Sequence, residues 1–180
     1  IGMLVMNLSG TKVRNVVLGI LIGTAIPSAF ISEASIAPMF LPIAMALYTL
    51  TSKKIGDATQ LGKLLMMSIA IGCMVGAPMS PTGGARNAIM IGFLANLGPQ
   101  YEISFMQWMI LGSFYTLFLG IFFAILLPFL YKPEVDDLSD AVNTLKEDLK
   151  KHGAMTREQW MVAGIALLMI IAWITDKDLI

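Results

Sequence analysis

Charged side chains are scarce in this chain of 180 residues. Only 13% of the residues are charged, whereas a typical soluble domain carries about 25%. Acidic and basic residues balance at 12 each, so no basic excess points to nucleic acid as a partner. The chain has one cysteine, Cys73, which excludes an internal disulfide and a cysteine-cluster metal site.

Hydrophobic residues, in contrast, make up 57% of the chain and lie in long runs. Runs of this length predict an all-α, polytopic membrane protein in contact with a lipid bilayer. The chain begins with Ile1, and no positively charged stretch precedes an apolar one, as it would in a signal peptide. We therefore expect an internal portion of a longer protein.

The first long apolar run covers residues 16–50 and holds one formal charge, Glu33. As a single helix it would be about 52 Å long, against a hydrocarbon core of about 30 Å. Polar residues and prolines near its middle divide it into arms of about 12 and 15 residues, each short for a crossing, which predicts a re-entrant helical hairpin over residues 13–50. The interrupting residues are Pro27, Ser28, Ser32, Glu33, Ser35 and Pro38.

The second apolar run, within residues 63–97, is interrupted as well. The ten residues from Gly76 to Ala85 contain two prolines and three glycines, and an α-helix does not continue through so many breakers. We predict one crossing made of two half-helices joined by an unwound stretch. Beyond it we predict a span over 105–131, a cytoplasmic amphipathic helix on the membrane surface over 133–153, and a last span over 158–175.

The distribution of basic residues predicts the topology, because lysine and arginine mark the cytoplasmic side. They flank both ends of the predicted hairpin and recur after the span over 105–131, whereas residues 98–104 hold none. These residues are Lys12, Arg14, Lys53, Lys54, Lys63, Lys132, Lys146, Lys150, Lys151 and Arg157. Both ends of the hairpin are therefore expected in the cytoplasm.

Only Glu33 and Arg86 are then charged at membrane depth, where each costs about 2.5–3.5 kcal/mol on insertion scales. Hydroxyls of Ser28 and Ser32, with carbonyls of the interrupted backbone, suit a hard cation such as Na⁺. The half-helix that follows favours an anion at its N-terminus. Arg86 suits bidentate binding of an anionic substrate, but an ion pair in which Glu33 and Arg86 only neutralise each other stays an alternative.

The stretch from Ser28 to Ala34, with the following Pro38–Ile43, resembles the hairpin of the divalent anion:sodium symporter (DASS, INDY-like) family. That family typically carries Ser-Asn-Thr at the hairpin tip. The stretch from Gly76 to Asn87 resembles the family's glycine-rich loop ending in Pro-Pro-Asn. The resemblance covers essentially the whole chain in the family's order, including the segment around Lys146–Trp160.

The resemblance implies one half of an inverted-repeat, elevator-type, Na⁺-coupled carrier of dicarboxylates, citrate or sulfate, acting as a homodimer. It needs no other cofactor, and we expect it in the inner membrane of a prokaryotic cell. A second hairpin and a second broken helix would lie beyond Ile180. The resemblance carries the first Na⁺ site to Ser28, Ser32, Glu33 and Gly76. It carries the substrate contacts to Ser32, Glu33 and Ala34, and we also expect Ser80, Arg86 and Asn87 to contact the substrate.

The chain departs from the family pattern at the positions that matter most. Glu33 stands for Asn, Ala34 for Thr, and Ala85 and Arg86 for the two prolines. A carboxylate at the tip could bind Na⁺ more strongly, or it could titrate and couple H⁺ instead. We therefore keep an H⁺-coupled transporter, or a cation or metalloid-oxyanion permease, as alternatives.

Two further classes of function fit the sequence less well. An intramembrane enzyme would need a catalytic pair in the bilayer, but the single histidine lies in the predicted surface helix and only one acid lies at membrane depth. We therefore expect no enzyme. A structural or accessory subunit would not need costly charges inside the membrane.

Overall fold

The computed structural model describes residues 10–151 and 156–175. Within these ranges the regular structure is helical, apart from one isolated bridge between Lys12 and Asp137, in agreement with the predicted all-α class. The last residues of the predicted amphipathic helix lie outside the described ranges. The α-helices are α1 (Val13–Ser28), α2 (Glu33–Ile55), α3 (Thr59–Gly76), α4 (Ala85–Asn96), α5 (Phe105–Leu130), α6 (Ser139–Lys151) and α7 (Arg157–Thr175).

Helices α1 and α2 are joined by a tip segment, residues 29–32. The helices are 16 and 23 residues long, about 24 and 34 Å. The predicted arm lengths were therefore too short, and α2 alone is long and apolar enough to cross a membrane. The difference arises because Ser28, Glu33 and Ser35, counted among the interrupting residues, are helical. In addition, α2 continues to Ile55, beyond the predicted end of the hairpin at residue 50. The helix continues through both Pro38 and Pro42, as membrane helices can.

Helix α3 ends at Gly76 and is followed by an unwound segment, residues 77–84, ahead of α4. The unwound segment consists of two 3₁₀ turns, Ala77–Met79 and Pro81–Gly83. Prolines at the starts of these turns remove backbone donors that an α-helix would use. The chain thus has an interruption in the stretch where the density of prolines and glycines predicts one.

Helix α5 runs antiparallel to α3 and gives the depth of the unwound segment. The Thr116 hydroxyl donates to the Val75 carbonyl at 2.9 Å, and the Trp108 indole donates to the Pro78 carbonyl at 3.0 Å. Gly112 lies against the backbone of Met79. Gly112 is seven residues from the start of α5, a helix of 26 residues, or about 11 Å along a length of about 39 Å. The unwound segment therefore lies within the length of a membrane span.

Helix α6 begins at Ser139, so the predicted start at residue 133 was too early. Asp137 explains the later start, because its carboxylate accepts the Ser139 amide at 2.7 Å and so caps the first turn. The apolar face of α6 packs on α2 within the protein core. The prediction of a helix on the membrane surface did not foresee this protein contact. The apolar residues of this face are Leu138, Ala141, Val142 and Leu145.

The core is formed mainly by α1, α2 and α3, and α1 has its most extensive contact with α3. Three helical stretches among the described residues are long and apolar enough to span a membrane: Glu33–Ile55, Thr59–Met79 and Phe105–Leu130. Only 6% of the most apolar window of α5 is buried within the chain. A helix that is apolar all round and so little covered fits contact with lipid or with other transmembrane helices.

Candidate functional site

The tip segment meets the unwound segment at Gly83. A Cβ atom at Gly83 would lie 2.2 Å from the Ala77 carbonyl oxygen, 2.8 Å from that of Ser28 and 2.9 Å from that of Ala29. Only glycine allows backbones to approach this closely. Three carbonyl oxygens from two interrupted helices therefore converge on one point, and the tip lies at the depth of the unwound segment.

Ser28 places an unsatisfied hydroxyl at this junction. The residue is fully buried, and its Oγ has no hydrogen-bond partner among the described residues. The Cys73 thiol, a weak hydrogen-bonding group, lies near enough to the Ser28 hydroxyl to interact weakly with it, but no hydrogen bond of ordinary geometry joins them. Among the described residues, no backbone amide donates to the carbonyls of Ser28 or Ala29. Buried polar groups normally find partners, so these free oxygens need an explanation.

Glu33 and Arg86 form an ion pair across the junction. Nη2 of Arg86 lies 2.6 Å from both Oε1 and Oε2 of Glu33. The Arg86 side chain is 59% exposed and the Glu33 side chain is 32% exposed. The pair joins the start of α2 to the start of α4, two elements that sequence separates by 53 positions.

Two helix N-termini meet at this ion pair. Glu33 is the first residue of α2 and Arg86 the second residue of α4. Neither N-cap residue, Ser32 or Gly84, caps its helix with a side-chain hydrogen bond. The first amides of both helices are therefore left for other acceptors, and helix N-termini with free amides attract anions.

Ser80 and Asn87 hold the unwound segment in shape. Nδ2 of Asn87 donates to the Ala77 carbonyl at 2.9 Å and to the Ser80 carbonyl at 2.7 Å. The Ser80 hydroxyl lies 2.8 Å from that of Thr82 and accepts the Thr82 amide. Both Ser80 and Asn87 are buried. Their contact with substrate stays a prediction, and their bonds in the structure are with the segment itself.

The remaining predicted site residues lie around the same junction. Gly76 packs against α1, since a Cβ atom there would lie 2.1 Å from the Ala25 carbonyl oxygen. Ser32 and Ala34 are exposed on either side of Glu33. Among the described residues, no hydrogen bond joins either of them to Ser28 or Gly76.

The sequence predicted that carbonyls of the interrupted backbone take part in this site, but not which ones. The carbonyls of Ala29 and Ala77 could not be singled out, because side-chain identity gives no signal for a carbonyl. Gly83 lies in the stretch that resembles the family's glycine-rich loop, but its role as the contact point of the two segments was not expected. Among the described residues, no cluster of His, Cys, Asp and Glu could hold a metal ion, so a cation here would rely on hydroxyl, carbonyl and Glu33 oxygens.

Comparison with known proteins gives a family and two informative relatives. Residues 3–180 match the family described as sodium:sulfate symporter transmembrane region. A citrate/succinate antiporter of Escherichia coli (strain K12) is 28% identical over 128 residues, covering 69% of this chain and 25% of that protein. A sodium-dependent dicarboxylate transporter of Staphylococcus aureus (strain USA300) is 25% identical over 188 residues, covering all of this chain and 36% of that protein.

The chain thus spans about a quarter to a third of the length of these relatives. The relatives are transporters and not enzymes, and the family match agrees with the resemblance noted at the hairpin and the glycine-rich loop. This chain belongs to the sodium:sulfate symporter family, within the divalent anion:sodium symporter group.

Proposed function

We propose that the full-length protein containing this chain is a secondary active transporter. It moves a small anion, such as a dicarboxylate, citrate or sulfate, by coupling to a cation gradient, and it acts as a homodimer in the inner membrane of a prokaryotic cell. The names of the two relatives support an anionic substrate, and one of them names sodium. The observation that carries the proposal is the unsatisfied, buried Ser28 hydroxyl where the tip and unwound segments meet.

The coupling cation binds among oxygens at this junction. The Ser28 hydroxyl and the free carbonyls of Ser28 and Ala29 are uncharged oxygen ligands, which suit a hard cation such as Na⁺. Ser32 and Glu33 lie at the adjoining start of α2 and add a hydroxyl and a carboxylate. Gly76 keeps the end of α3 close against α1.

The substrate anion binds at the facing starts of α2 and α4. Their free amides, around Ser32, Glu33, Ala34 and Arg86, attract negative charge. The Arg86 guanidinium adds a fixed positive charge that can bind a carboxylate or sulfate through two donors. Ser80 and Asn87 position the unwound segment and contribute contacts from its side of the pocket.

The hairpin formed by α1 and α2 is re-entrant in this proposal. Two observations support it. The tip contacts Gly83 in the unwound segment. That segment packs against Gly112, which is about 11 Å along α5 from the first residue of the helix. The start of α1 and the end of α2 both bond to residues 136–140, through Val13 and Lys54. A rigid hairpin of this kind could move with its bound ion and substrate, as an elevator mechanism requires.

Uptake by proteoliposomes that contain the full-length protein tests the proposal. We expect a Na⁺ gradient to drive uptake of labelled succinate, citrate or sulfate. We expect Ser28→Ala to raise the Na⁺ concentration needed for half-maximal uptake by about tenfold, as loss of one buried ligand would. Ser113→Ala is the matched control, because its hydroxyl only bonds to the Ile110 carbonyl of its own helix. Equal Na⁺ dependence of uptake in both variants would mean that Ser28 is not a ligand of the cation.

The alternative is an H⁺-coupled carrier, or a cation or metalloid-oxyanion permease. The carboxylate of Glu33 favours it, because a carboxylate can bind a proton where the family's Asn cannot. The same vesicles separate the two functions. Uptake that follows a proton gradient and ignores Na⁺, or uptake of an oxyanion such as arsenite but of none of the three anions above, would favour the alternative.

A further inference from the structure

The Glu33–Arg86 ion pair leaves part of the guanidinium unused. One nitrogen, Nη2, serves both carboxylate oxygens of Glu33. Among the described residues, neither Nε nor Nη1 of Arg86 donates a hydrogen bond. A guanidinium prefers two parallel bonds to a carboxylate, and an incoming anion could form them on the unused edge.

Glu33 follows closely in the chain after residues whose oxygens lack partners, namely Ser28 and Ala29. Glu33 follows the tip segment, which turns tightly because the Ile31 amide donates to the Pro27 carbonyl at 2.8 Å. Ser28, on the other side of this turn, carries the unsatisfied hydroxyl. The Glu33 carboxylate therefore has a positive partner, Arg86. The uncharged oxygens of Ser28 and Ala29, at the other end of the tip, have none.

We propose that Glu33 and Arg86 exchange partners when the carrier loads, an inference that rests on the proposed function. In the empty carrier they neutralise each other. On loading, Arg86 binds the substrate anion, and Glu33 turns to a Na⁺ held by the Ser28 hydroxyl and the tip carbonyls. Glu33 is thus a cation ligand in the loaded state and an internal substitute for the substrate in the empty state.

This exchange couples the two ligands through charge. An anion that binds alone takes Arg86 and leaves the Glu33 carboxylate unpaired at membrane depth. A Na⁺ that binds alone takes Glu33 and leaves Arg86 unpaired. Uncompensated charges in such surroundings are costly, whereas binding both ligands leaves each charge with a partner. Each ligand therefore raises the affinity for the other by the same factor.

Isothermal titration of the purified full-length protein with succinate, citrate and sulfate, in NaCl and in choline chloride, tests this exchange. We expect Na⁺ to raise the affinity of the wild type about 5–150-fold, the usual range of such coupling. We expect Glu33→Gln to bind the anion with nearly the same affinity in both salts, because no carboxylate has to be neutralised. Asp140→Asn, which breaks the Lys54–Asp140 pair far from the tip, should keep the wild-type dependence.

The results separate failure of this inference from failure of the proposed function. A wild type that binds none of the three anions, or binds them equally in both salts, would contradict the proposed Na⁺-coupled function itself. A Na⁺-dependent wild type with an equally Na⁺-dependent Glu33→Gln variant would overturn only the partner exchange.

A charge-swapped variant, Glu33→Arg with Arg86→Glu, guards against loss of folding. It keeps an ion pair between α2 and α4 but moves the carboxylate away from the tip oxygens, so we expect a folded protein without Na⁺ dependence. Full Na⁺ dependence in this variant would mean that the pair only neutralises charge, which would also overturn the exchange.

Discussion

Close backbone packing at single glycines brings the two interrupted helices together. Gly76 ends α3, and a Cβ atom there would lie 2.1 Å from the carbonyl oxygen and 2.5 Å from the Cα of Ala25 in α1. Because these are backbone atoms, no side-chain rotation relieves the overlap. We expect Gly76→Ala to lower the free energy of unfolding by about 1–3 kcal/mol, as overpacking does, and to reduce transport.

Gly92 in α4 provides the matched control for this substitution. It is also helical, but a Cβ atom there would meet nothing within 4 Å. Gly92→Ala should therefore be neutral or stabilising by about 0.5–1 kcal/mol through helix propensity. Thermal unfolding of both variants in detergent measures the difference, and equal melting temperatures would contradict the close contact of α1 with α3.

Asn87 shows how a single buried amide can hold an irregular segment. Its Nδ2 serves two carbonyls, those of Ala77 and Ser80. Asn87→Ala should lower stability by about 1–3 kcal/mol for each acceptor left unsatisfied. Asn87→Asp should be worse, although it has the same shape, because a carboxylate oxygen would face two carbonyl oxygens.

Thermal unfolding of these two variants, with Asn96→Ala as the control, measures the effect. Asn96 is exposed at the end of the same helix α4, so its loss should change little. An Asp variant as stable as the wild type would mean that Asn87 does not hold the unwound segment.

The sequence predicted the charged part of the site more fully than its backbone part. Isolated charges are costly in a bilayer, so an ion pair of Glu33 and Arg86 was one of two alternatives for these charges, and the structure forms it. The bonds of Asn87 to its own segment were not expected, since they depend on how the 3₁₀ turns fold. Ser28 was predicted to bind the cation through its hydroxyl, but only the packing around it shows that this hydroxyl has no partner.

At the scale of elements, Glu134 caps a helix far away in sequence. Its Oε1 accepts the Gln60 amide at 2.7 Å and its Oε2 accepts the Leu61 amide at 3.0 Å, both at the start of α3. Desolvation raises the pKa of Glu134, but the bonds from the Gln60 and Leu61 amides outweigh it, so the pKa lies below the usual carboxyl value of 4.5.

A carboxyl group whose pKa is lowered by folding stabilises the folded state at pH values above its ordinary pKa of 4.5. This stabilisation is lost as the pH falls through the lowered pKa. We expect acidification across this window to destabilise the wild type more than Glu134→Gln. At neutral pH, Glu134→Gln should cost about 1 kcal/mol, the usual value of a helix cap. Unfolding measured as a function of pH tests both statements.

Glu102→Gln is the control for this experiment. Glu102 is exposed in the loop before α5, and no hydrogen bond to its carboxylate is formed among the described residues. It should keep the acid sensitivity of the wild type. If Glu134→Gln were as acid-sensitive as the wild type, protonation of Glu134 would not be what destabilises the start of α3 in this pH window.

The boundaries of elements were harder to predict than their presence. Pro38 was counted among the residues that interrupt the first apolar run, but α2 continues past it. The break falls at the tip segment, next to Ser32 and Glu33, where the hairpin tip was predicted. The apolar period in α6 was identified correctly as amphipathic. Its partner, the face of α2, could not be found from periodicity, which gives the apolar side of a helix without saying what covers it.

At the scale of the whole molecule, one short stretch joins three helix ends. The Val13 amide at the start of α1 donates to the Asp136 carbonyl, and Lys54 near the end of α2 pairs with Asp140. Glu134 binds the start of α3. Since residues 134–140 are one continuous segment, the start of α1, the end of α2 and the start of α3 lie on one side of the helix bundle.

This arrangement predicts which positions share a side of the membrane. In a cysteine-free background of the full-length protein, with Cys73→Ala, we expect Lys12→Cys, Lys53→Cys and Lys132→Cys to react with an impermeant maleimide from the same side. Gln100→Cys, in the loop before α5, should react only from the opposite side. The reason is geometric: a hairpin whose tip stops at the unwound segment has to return to the side from which it started.

Labelling in intact cells and in inverted vesicles distinguishes the sides. If Lys12→Cys and Lys53→Cys react from opposite sides, α2 crosses the membrane completely, and the tip cannot meet Gly83 as part of a re-entrant hairpin.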